Sequence, residues 1–278
     1  MKSISEGLAA SGLGRLASSI ELAAKESIRL FMAEGPGNET NRFGGMPNLP
    51  SGIEWPTNNG QPLGFVAQID LATLPPMREL CLPRTGALFF FYDGISAGFQ
   101  PEDRNTFRVL YSSDNPARVS ERPFPSELEE SLRFQEARLS LGQVELSLPG
   151  WEDTLVEQFG LSRKERLAYS DFQEQYCPGV ADNVIHRIGG YPDCVQDDPK
   201  LEAQLVSHGL YCGDASGYLA GRERGLCSGV SWDLLLQVDS EEETGMLWGD
   251  AGRLYFLIHR SDLAKRCFEN AWMIFQCA

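Results

Sequence analysis

The fold is decided by residues 231–276, which read SWDLLLQVDSEEETGMLWGDAGRLYFLIHRSDLAKRCFENAWMIFQ. Two apolar runs, Leu234–Val238 and Leu254–Ile258, flank an acidic connection that contains glycine. Runs of this length between turn residues are typical of strands, so they predict two neighbouring antiparallel strands. A short helix over 263–268 and a last buried strand over 272–277 are expected to follow.

The same pattern has an earlier counterpart in the first half of the chain. Three landmarks occur twice in the same order: Gly-Gly-x-Pro at 44–47 and 189–192, Gln-x-Asp at 68–70 and 237–239, and Gly-x-Leu-aromatic-Phe at 86–90 and 252–256. The paired landmarks are 145, 169 and 166 residues apart. Three ordered matches favour an ancient duplication, with pseudo-repeats at about 41–122 and 186–278. The alternative is that glycine-proline turns and strand ends converge for chemical reasons.

Composition and charge limit the functions open to the chain. It has 278 residues, 42% of them hydrophobic, and its 39 acidic and 24 basic residues give a net charge of −15. A sizeable core is therefore expected. The negative charge disfavours nucleic-acid binding and would attract a basic partner. The longest apolar run, Ala87–Tyr92, is too short to cross a bilayer, so no membrane partner is predicted.

Helix and strand signals occur in separate groups along the chain. Residues 1–40 are expected to form an N-terminal helical segment that precedes a domain over 41–278. The insertion between the pseudo-repeats predicts two helices and a strand: Glu127–Phe134, Ser162 to about Tyr176, and Val144–Leu148. A further helix is expected to begin at Asp198-Pro199 and to end before Gly209, followed by a glycine-rich loop over 211–229. This arrangement predicts an α+β fold, with mainly antiparallel sheets from two internally similar halves and flanking helices.

The sequence contains no complete catalytic or metal-binding motif. There is no His-x-x-x-His pair, nucleophile elbow, phosphate-binding loop or dinucleotide fingerprint. An alternative is that Cys177, His186, Cys194 and Cys212 converge on zinc, although no Cys-x-x-Cys pair is present. The odd count of seven scattered cysteines favours reduced, mostly buried thiols and a cytoplasmic location. We therefore predict no cofactor, no bound metal and no catalytic residues.

Acidic residues are the remaining candidates for a binding site. Five crowd the connection between the two late strands: Asp239, Glu241, Glu242, Glu243 and Asp250. Three more lie on the predicted middle helix: Glu127, Glu129 and Glu130. They predict a contact surface for a basic protein, with a solvated hairpin tip and a charged outer helix face as the alternative. A calcium loop is a weaker alternative, because the Asp-x-Asp-x-Asp-Gly ladder is missing.

Several motifs together resemble those of the YwqG-like family of bacterial proteins. They comprise Gly44-Gly45-x-Pro47, Ala67-Gln68-Ile69-Asp70, Gly86-x-Leu88-Phe89-Phe90, Gly189-Gly190-Tyr191-Pro192, Leu236-Gln237-x-Asp239 and Trp248-Gly249-Asp250-x-Gly252. The resemblance spans about 44–277. It implies an α+β protein with antiparallel sheets, and it carries over no established catalytic residue. Members are similar in setting to immunity proteins encoded beside secreted toxins, including nuclease effectors.

Together these features predict a cytoplasmic immunity protein that binds and neutralises a cognate toxin, a nuclease effector, by stoichiometric protein–protein contact. The interface is expected outside the shared motifs, in the N-terminal helices and the segments 99–151 and 213–229. The alternative is a small-ligand-binding domain or enzyme with a pocket between the pseudo-repeats. Tyr191, Trp248 and Asp250 would line that pocket.

Overall fold

The computed structural model describes residues 3–33, 38–176 and 184–278. The helices are α1 (Ile4–Ala10), α2 (Ala17–Ala23), α3 (Thr154–Glu157), α4 (Arg163–Tyr176), α5 (Pro199–Ser207), α6 (Ala215–Glu223) and α7 (Arg260–Lys265). The first six strands are β1 (Lys25–Met32), β2 (Asn38–Phe43), β3 (Thr57–Asn58), β4 (Gln61–Pro62), β5 (Gly64–Asp70) and β6 (Ala87–Tyr92). The others are β7 (Phe107–Ser112), β8 (Ala137–Ser147), β9 (His186–Gly189), β10 (Trp232–Asp239), β11 (Arg253–His259) and β12 (Trp272–Gln276).

Ten of the strands form one antiparallel sheet, in the order β12-β11-β10-β9-β1-β8-β2-β5-β6-β7, and β3 pairs with β4 separately. The predicted pairing of the two late strands is confirmed, with Leu234 opposite Leu257 and Val238 opposite Leu254. The pairing of the two early strands is confirmed as well, with Ile69 opposite Leu88. The predicted α+β class with mainly antiparallel sheet is therefore confirmed.

The two halves of the sheet exchange their first strands. β2, β5, β6 and β7 form one four-stranded run and β9 to β12 form the other. β8 pairs with β2 of the first run, whereas β1 pairs with β9 of the second run. β1 and β8 then pair with each other along the middle of the sheet. Since the first run depends on β8, which follows it in the chain, and the second run depends on β1, which comes before both runs, the sheet is one folding unit.

The sheet curls until its two ends pack against each other. β6 and β11 are seven strand positions apart in the sheet order. In a flat sheet that separation would be about 34 Å, at about 4.8 Å per strand. The rings of Phe90 and Phe256 on these strands are instead 5.0 Å apart. The main core fills the space between the two ends, and it draws its buried residues from both pseudo-repeats.

The outside of the curled sheet is covered in two places. α5 packs on β10, β11 and β12, which explains why β10 is buried along its whole length. α1 and α2 pack with α4 around Leu8, Ile20, Tyr169 and Phe172. No helix among the described residues is long and apolar enough to span a membrane.

Three of the expected elements are wrong, each because long-range packing overrides a local signal. Ile28 and Leu30 were expected on a helix, but they lie on β1 and point into the core. The helix expected over Glu127–Phe134 is absent apart from one 3₁₀ turn. The Leu128 carbonyl, which a helix would use, accepts hydrogen bonds from the Arg133 guanidinium instead.

The loop expected over 211–229 contains the nine-residue helix α6. Asp214 caps it, because its carboxylate accepts a hydrogen bond from the backbone N–H of Ser216 at 2.8 Å. Two of the glycines that suggested a loop are required for close packing. A Cβ at Gly217 would lie 1.9 Å from the Tyr211 carbonyl oxygen, and one at Gly221 would lie 2.3 Å from the Leu205 side chain.

Two smaller boundaries also differ. The helix expected over 263–268 begins earlier, as α7, and His259 caps it by accepting a hydrogen bond from the backbone N–H of Ser261. The strand expected over Val144–Leu148 is the end of the longer strand β8. The helices predicted from Ser162 and from Asp198 are confirmed as α4 and α5.

Candidate functional site

The loop between β10 and β11 presents most of its carboxylates to solvent. Backbone hydrogen bonds between Glu241 and Met246 close the base of the loop, and Gly245 supplies the left-handed turn at its tip (φ 73°). Glu242, Glu243 and Asp250 are exposed, and Glu241 is half-buried. These carboxylates therefore form part of the outer surface.

The second acidic segment lies beside this loop. Glu127, Glu129 and Glu130 are exposed on the chain that leads to Phe134 and Gln135. The Gln135 backbone N–H donates to the Thr244 carbonyl at 2.9 Å, and the Phe134 ring is 5.5 Å from the Trp248 ring. The structure thus joins two segments that are about a hundred residues apart in sequence. We call the seven residues Glu127, Glu129, Glu130, Glu241, Glu242, Glu243 and Asp250 the acidic surface.

Asp239 was grouped with these residues, but the structure places it inside. Its side chain is buried, and its Oδ2 accepts hydrogen bonds from Arg253 Nε and from the Ile185 backbone N–H, both at 2.8 Å. A carboxylate held in this way is committed to partners inside the protein and is not available to a binding partner.

The glutamines of the two Gln-x-Asp landmarks form equivalent hydrogen bonds in the two pseudo-repeats. The Gln68 side chain donates to the Thr40 carbonyl and accepts from the Asn48 backbone N–H. The Gln237 side chain donates to the Ile185 carbonyl and accepts from the Asp193 backbone N–H. The partners occupy equivalent positions around the two Gly-Gly-x-Pro turns. A duplication would give the two halves equivalent contacts, as observed here. The duplication itself stays a prediction.

The repeated turns hold a buried arginine in the same way. Arg42 Nη1 donates to the Met46 carbonyl at 3.1 Å, and Arg187 Nη1 donates to the Tyr191 carbonyl at 3.3 Å. Arg187 also forms an ion pair with Asp193 at 2.9 Å. The shared motifs therefore supply buried polar contacts that fix the turns to the sheet.

The residues of the predicted pocket between the pseudo-repeats have different surroundings. The Tyr191 hydroxyl donates to the Ala23 carbonyl at 2.8 Å, and the ring is buried. Trp248 is buried, donates from Nε1 to the Asp239 carbonyl and packs against Tyr92. Asp250 is exposed. Burial and these contacts leave Tyr191 and Trp248 no open face for a ligand.

The predicted zinc alternative gains no support from the described residues. Cys177 lies outside them. His186 Nδ1 accepts from the Asp239 backbone N–H at 3.0 Å, and burial, with Arg253 nearby, lowers the pKa of His186 to about 4. Burial raises the pKa of Cys212 to about 12, so its thiol stays protonated. Within residues 3–33, 38–176 and 184–278, no group of three or more His, Cys, Asp or Glu side chains is placed to hold a metal ion.

A cavity of about 680 Å³ lies between α5, α6 and the segment that contains α3. Its wall includes six acidic residues: Glu152, Glu157, Asp197, Asp198, Glu202 and Asp214. Among the described residues of the wall, Arg222 is the one with a positive charge. Phe99, Leu201 and Tyr218 supply apolar surface. We call this site the acidic cavity.

Crowding and burial raise the pKa of two carboxyl groups in the wall of the acidic cavity. Burial raises the pKa of Glu202 to about 8, against the hydrogen bonds from Tyr218 and Gln276. Burial, with the negative charges of Asp198, Asp197 and Asp153 nearby, raises the pKa of Glu152 to about 7. The protein therefore holds several carboxyl groups here at a cost in free energy.

The sequence interpretation missed this cavity. Asp198 was assigned only to a helix start, and it does cap α5 by accepting from the Lys200 backbone N–H at 3.0 Å. The available signal was Glu202, a charged residue on a helix next to the apolar Leu201 and Leu205. A carboxylate among apolar neighbours on a buried helix is unusual and indicates a site.

The residues of both sites lie within the part of the chain that a family model matches. A model described as "Domain of unknown function (DUF1963)" matches residues 41–277. The chain belongs to this family. The DUF1963 region contains both pseudo-repeats, the acidic surface and the acidic cavity. β1 precedes it in the sequence, although it lies in the middle of the sheet. No curated protein matches the chain.

Proposed function

We propose that this DUF1963 protein is a YwqG-like immunity protein that binds and neutralises a cognate toxin, a nuclease effector, in the cytoplasm. The observation that carries the proposal is the acidic surface, on which two distant segments are held together by the bond between Gln135 and Thr244. A toxin that binds nucleic acid has a basic surface where it meets phosphates. The acidic surface is complementary to such a partner.

Exposed apolar residues lie within and beside the acidic surface. Leu247 is 62% exposed in the same loop as Glu241–Glu243. Ile95 is 84% exposed in the turn after β6, and this turn contacts Leu132, which lies in the second acidic segment. Exposed aliphatic side chains at these positions supply the apolar contacts that a tight complex requires.

The two kinds of residue have separate roles in binding. Carboxylates on the surface attract a basic protein over distances of about 10 Å at ordinary salt, which speeds association. The apolar side chains lose their contact with water only in the complex, so they mainly slow dissociation. A protein that acts by binding needs this combination and needs no catalytic group.

The test is co-purification with the product of the adjacent gene, combined with rescue of cell growth and measurement of binding rates. Reversal of Glu129, Glu242 and Glu243 to lysine should lower the association rate constant by about tenfold or more at low salt. The effect should shrink at high salt because ions screen surface charges. Leu247→Ala should raise the dissociation rate constant by about tenfold, which corresponds to about 1.4 kcal/mol.

A matched control separates the acidic surface from net charge. Reversal of Asp171, Glu174 and Glu269 to lysine changes the net charge by the same amount, and these exposed residues lie on α4 and on the turn after α7, outside the predicted interface segments. It should leave both rates nearly unchanged. Equal effects of the two triple variants would refute the assignment of the surface. A neighbouring gene product that neither binds nor harms cells would refute the immunity function.

A further inference from the structure

The acidic cavity is a second site, separate from the acidic surface and built from different elements. Asp198 begins α5 and Glu202 lies on its first turn, whereas Tyr218 and Arg222 lie on α6. The missing side chain of Gly221 lets α6 approach Leu205 of α5, and that of Gly217 lets α6 approach the Tyr211 carbonyl in the connection between the two helices. The volume of about 680 Å³ is within the range of about 300–1,000 Å³ that small-molecule sites occupy.

One oxygen of a buried carboxylate in the cavity wall has no hydrogen-bond partner. Asp198 is only 3% exposed; its Oδ1 caps α5, whereas its Oδ2 accepts no hydrogen bond. The nearest positive charge is Lys200 Nζ at 3.6 Å, and Lys200 forms its closer contact with Asp153. A buried acceptor of this kind is costly unless a donor reaches it, so it points to a ligand that supplies donors.

The positions of the carboxylates around the cavity indicate which kind of ligand would fit. In the described part of the chain, no three acidic, thiol or imidazole groups converge closely enough to hold a metal ion. The acidic residues instead surround a wide cavity, with the apolar side chains of Leu201, Tyr218 and Leu219 between them. An extended cation with charges separated by methylene groups matches this pattern. Aromatic rings in the wall favour ammonium groups as well.

We propose that the acidic cavity binds a linear aliphatic polyamine. Its ammonium groups pair with Glu152, Asp197 and Asp198, and its methylene groups lie against the apolar part of the wall. Binding replaces repulsion among carboxylates by charge-assisted hydrogen bonds, each stronger than a bond between neutral groups. The site does not depend on the proposed immunity function.

The test is isothermal titration calorimetry of the full chain with spermidine. The double variant Glu152→Gln, Asp197→Asn should weaken binding by about tenfold or more, since each change removes a charged acceptor. Neither side chain caps a helix, so the variant should fold, and its melting temperature checks this. The matched control Glu242→Gln, Glu243→Gln removes two charges from the acidic surface and should change the affinity less than about twofold.

Two further arms distinguish a specific site from general attraction to a protein of net charge −15. Mg²⁺ at equal ionic strength should not compete with spermidine at stoichiometric concentrations. Wild-type affinity should rise between pH 6 and pH 8, with release of protons, because Glu152 must lose its proton against the charges of Asp153, Asp197 and Asp198. The proposal is overturned if Mg²⁺ competes equally, if both double variants weaken binding alike, or if spermidine does not bind.

Discussion

Lys200→Met tests whether one buried lysine neutralises two buried carboxylates. Lys200 is 6% exposed and forms an ion pair with Asp153, which is 5% exposed. Its Nζ is also 3.6 Å from Asp198 Oδ2 and 4.9 Å from the centre of the Tyr191 ring. Burial would lower the pKa of Lys200, but the carboxylates of Asp198 and Asp153 raise it above its ordinary value. The lysine is therefore charged in the folded protein.

The structure provides a matched variant with a smaller expected effect. Lys25 Nζ is 4.8 Å from the same Tyr191 ring and 2.8 Å from Asp233. Asp233, however, also accepts two hydrogen bonds from Arg260, at 2.9 and 3.2 Å. Lys25→Met therefore leaves a carboxylate that is still paired, whereas Lys200→Met leaves two carboxylates with no cation in contact among the described ion pairs.

The size of each effect follows from this difference. Removing one partner of a buried ion pair costs about 3–5 kcal/mol, which is a large part of a total stability of about 5–15 kcal/mol. We expect a loss in that range for Lys200→Met at pH 8. For Lys25→Met we expect about 1.5–3 kcal/mol, the value for one hydrogen bond to a charged group. Asp153→Asn in the Lys200→Met background should restore part of the loss.

The protonation of Asp198 makes the cost of Lys200→Met depend on pH. Burial, with Asp153 opposing the effect of Lys200, raises the pKa of Asp198 to about 6. A carboxyl group whose pKa is higher in the folded state contributes stability at pH values below its pKa in the unfolded state. That contribution is lost as the pH rises to its pKa in the folded state. Lys200 lowers the pKa of Asp198, so without Lys200 this pKa is higher and the loss of stability continues to a higher pH. The cost of Lys200→Met should therefore be smaller at pH 5 than at pH 8, by about 1–2 kcal/mol.

Urea denaturation of wild type and both variants at pH 5 and pH 8 measures these differences. The linear dependence of unfolding free energy on urea gives each value at zero denaturant. The reasoning is wrong if Lys200→Met costs no more than Lys25→Met. It is equally wrong if the cost of Lys200→Met is the same at both pH values.

Two further predictions concern the wall of the acidic cavity and use the same denaturation assay. Gly217→Ala should cost about 1–3 kcal/mol because the added Cβ would lie 1.9 Å from the Tyr211 carbonyl, whereas Gly52→Ala, with nothing within 4 Å, should be nearly neutral. Equal effects would contradict the close packing of α6. Burial raises the pKa of Glu202 from 4.5 to about 8, so between these values the unfolded wild type loses its proton while the folded wild type keeps it, and the wild type loses stability as the pH rises. Glu202→Gln removes this loss, so the variant should gain stability relative to the wild type from pH 4.5 to pH 8, and a difference that does not change over this range would contradict the assignment.

The sequence predicted those parts of the fold whose signal is local. Leu254–Ile258 is apolar throughout, and Leu234–Val238 is apolar except for Gln237, because both faces of their strands are covered, so pattern alone identified them. β1 was missed because its apolar positions also fit a helix. Its strand conformation depends on pairing with β8, more than a hundred residues away. The absence of the helix over Glu127–Phe134 likewise depends on contacts that no local pattern shows.

The same distinction applies to the candidate sites. The seven members of the acidic surface were identified individually from their charge, whereas Asp239, which was predicted with them, is buried. Their common location could not be predicted, because it depends on the contact between Gln135 and Thr244. The acidic cavity was missed because its wall combines α5 with a helix that resembled a glycine-rich loop. The glycines Gly217 and Gly221 reflect close packing of α6 against the Tyr211 carbonyl and against α5, which sequence alone does not separate from chain flexibility.

The carboxylates of this protein fall into groups that face different surroundings, and this difference assigns their partners. Asp233 and Asp239 are buried, and each is paired with a cation of the protein itself. The acidic surface lies in water, where charges cost little free energy and attract a large basic partner from a distance. The acidic cavity is partly closed, so repulsion among its carboxylates is relieved only by a cation small enough to enter. The two sites should therefore be separable. Reversing Glu129, Glu242 and Glu243 should leave spermidine binding intact, and neutralising the cavity should leave toxin binding intact.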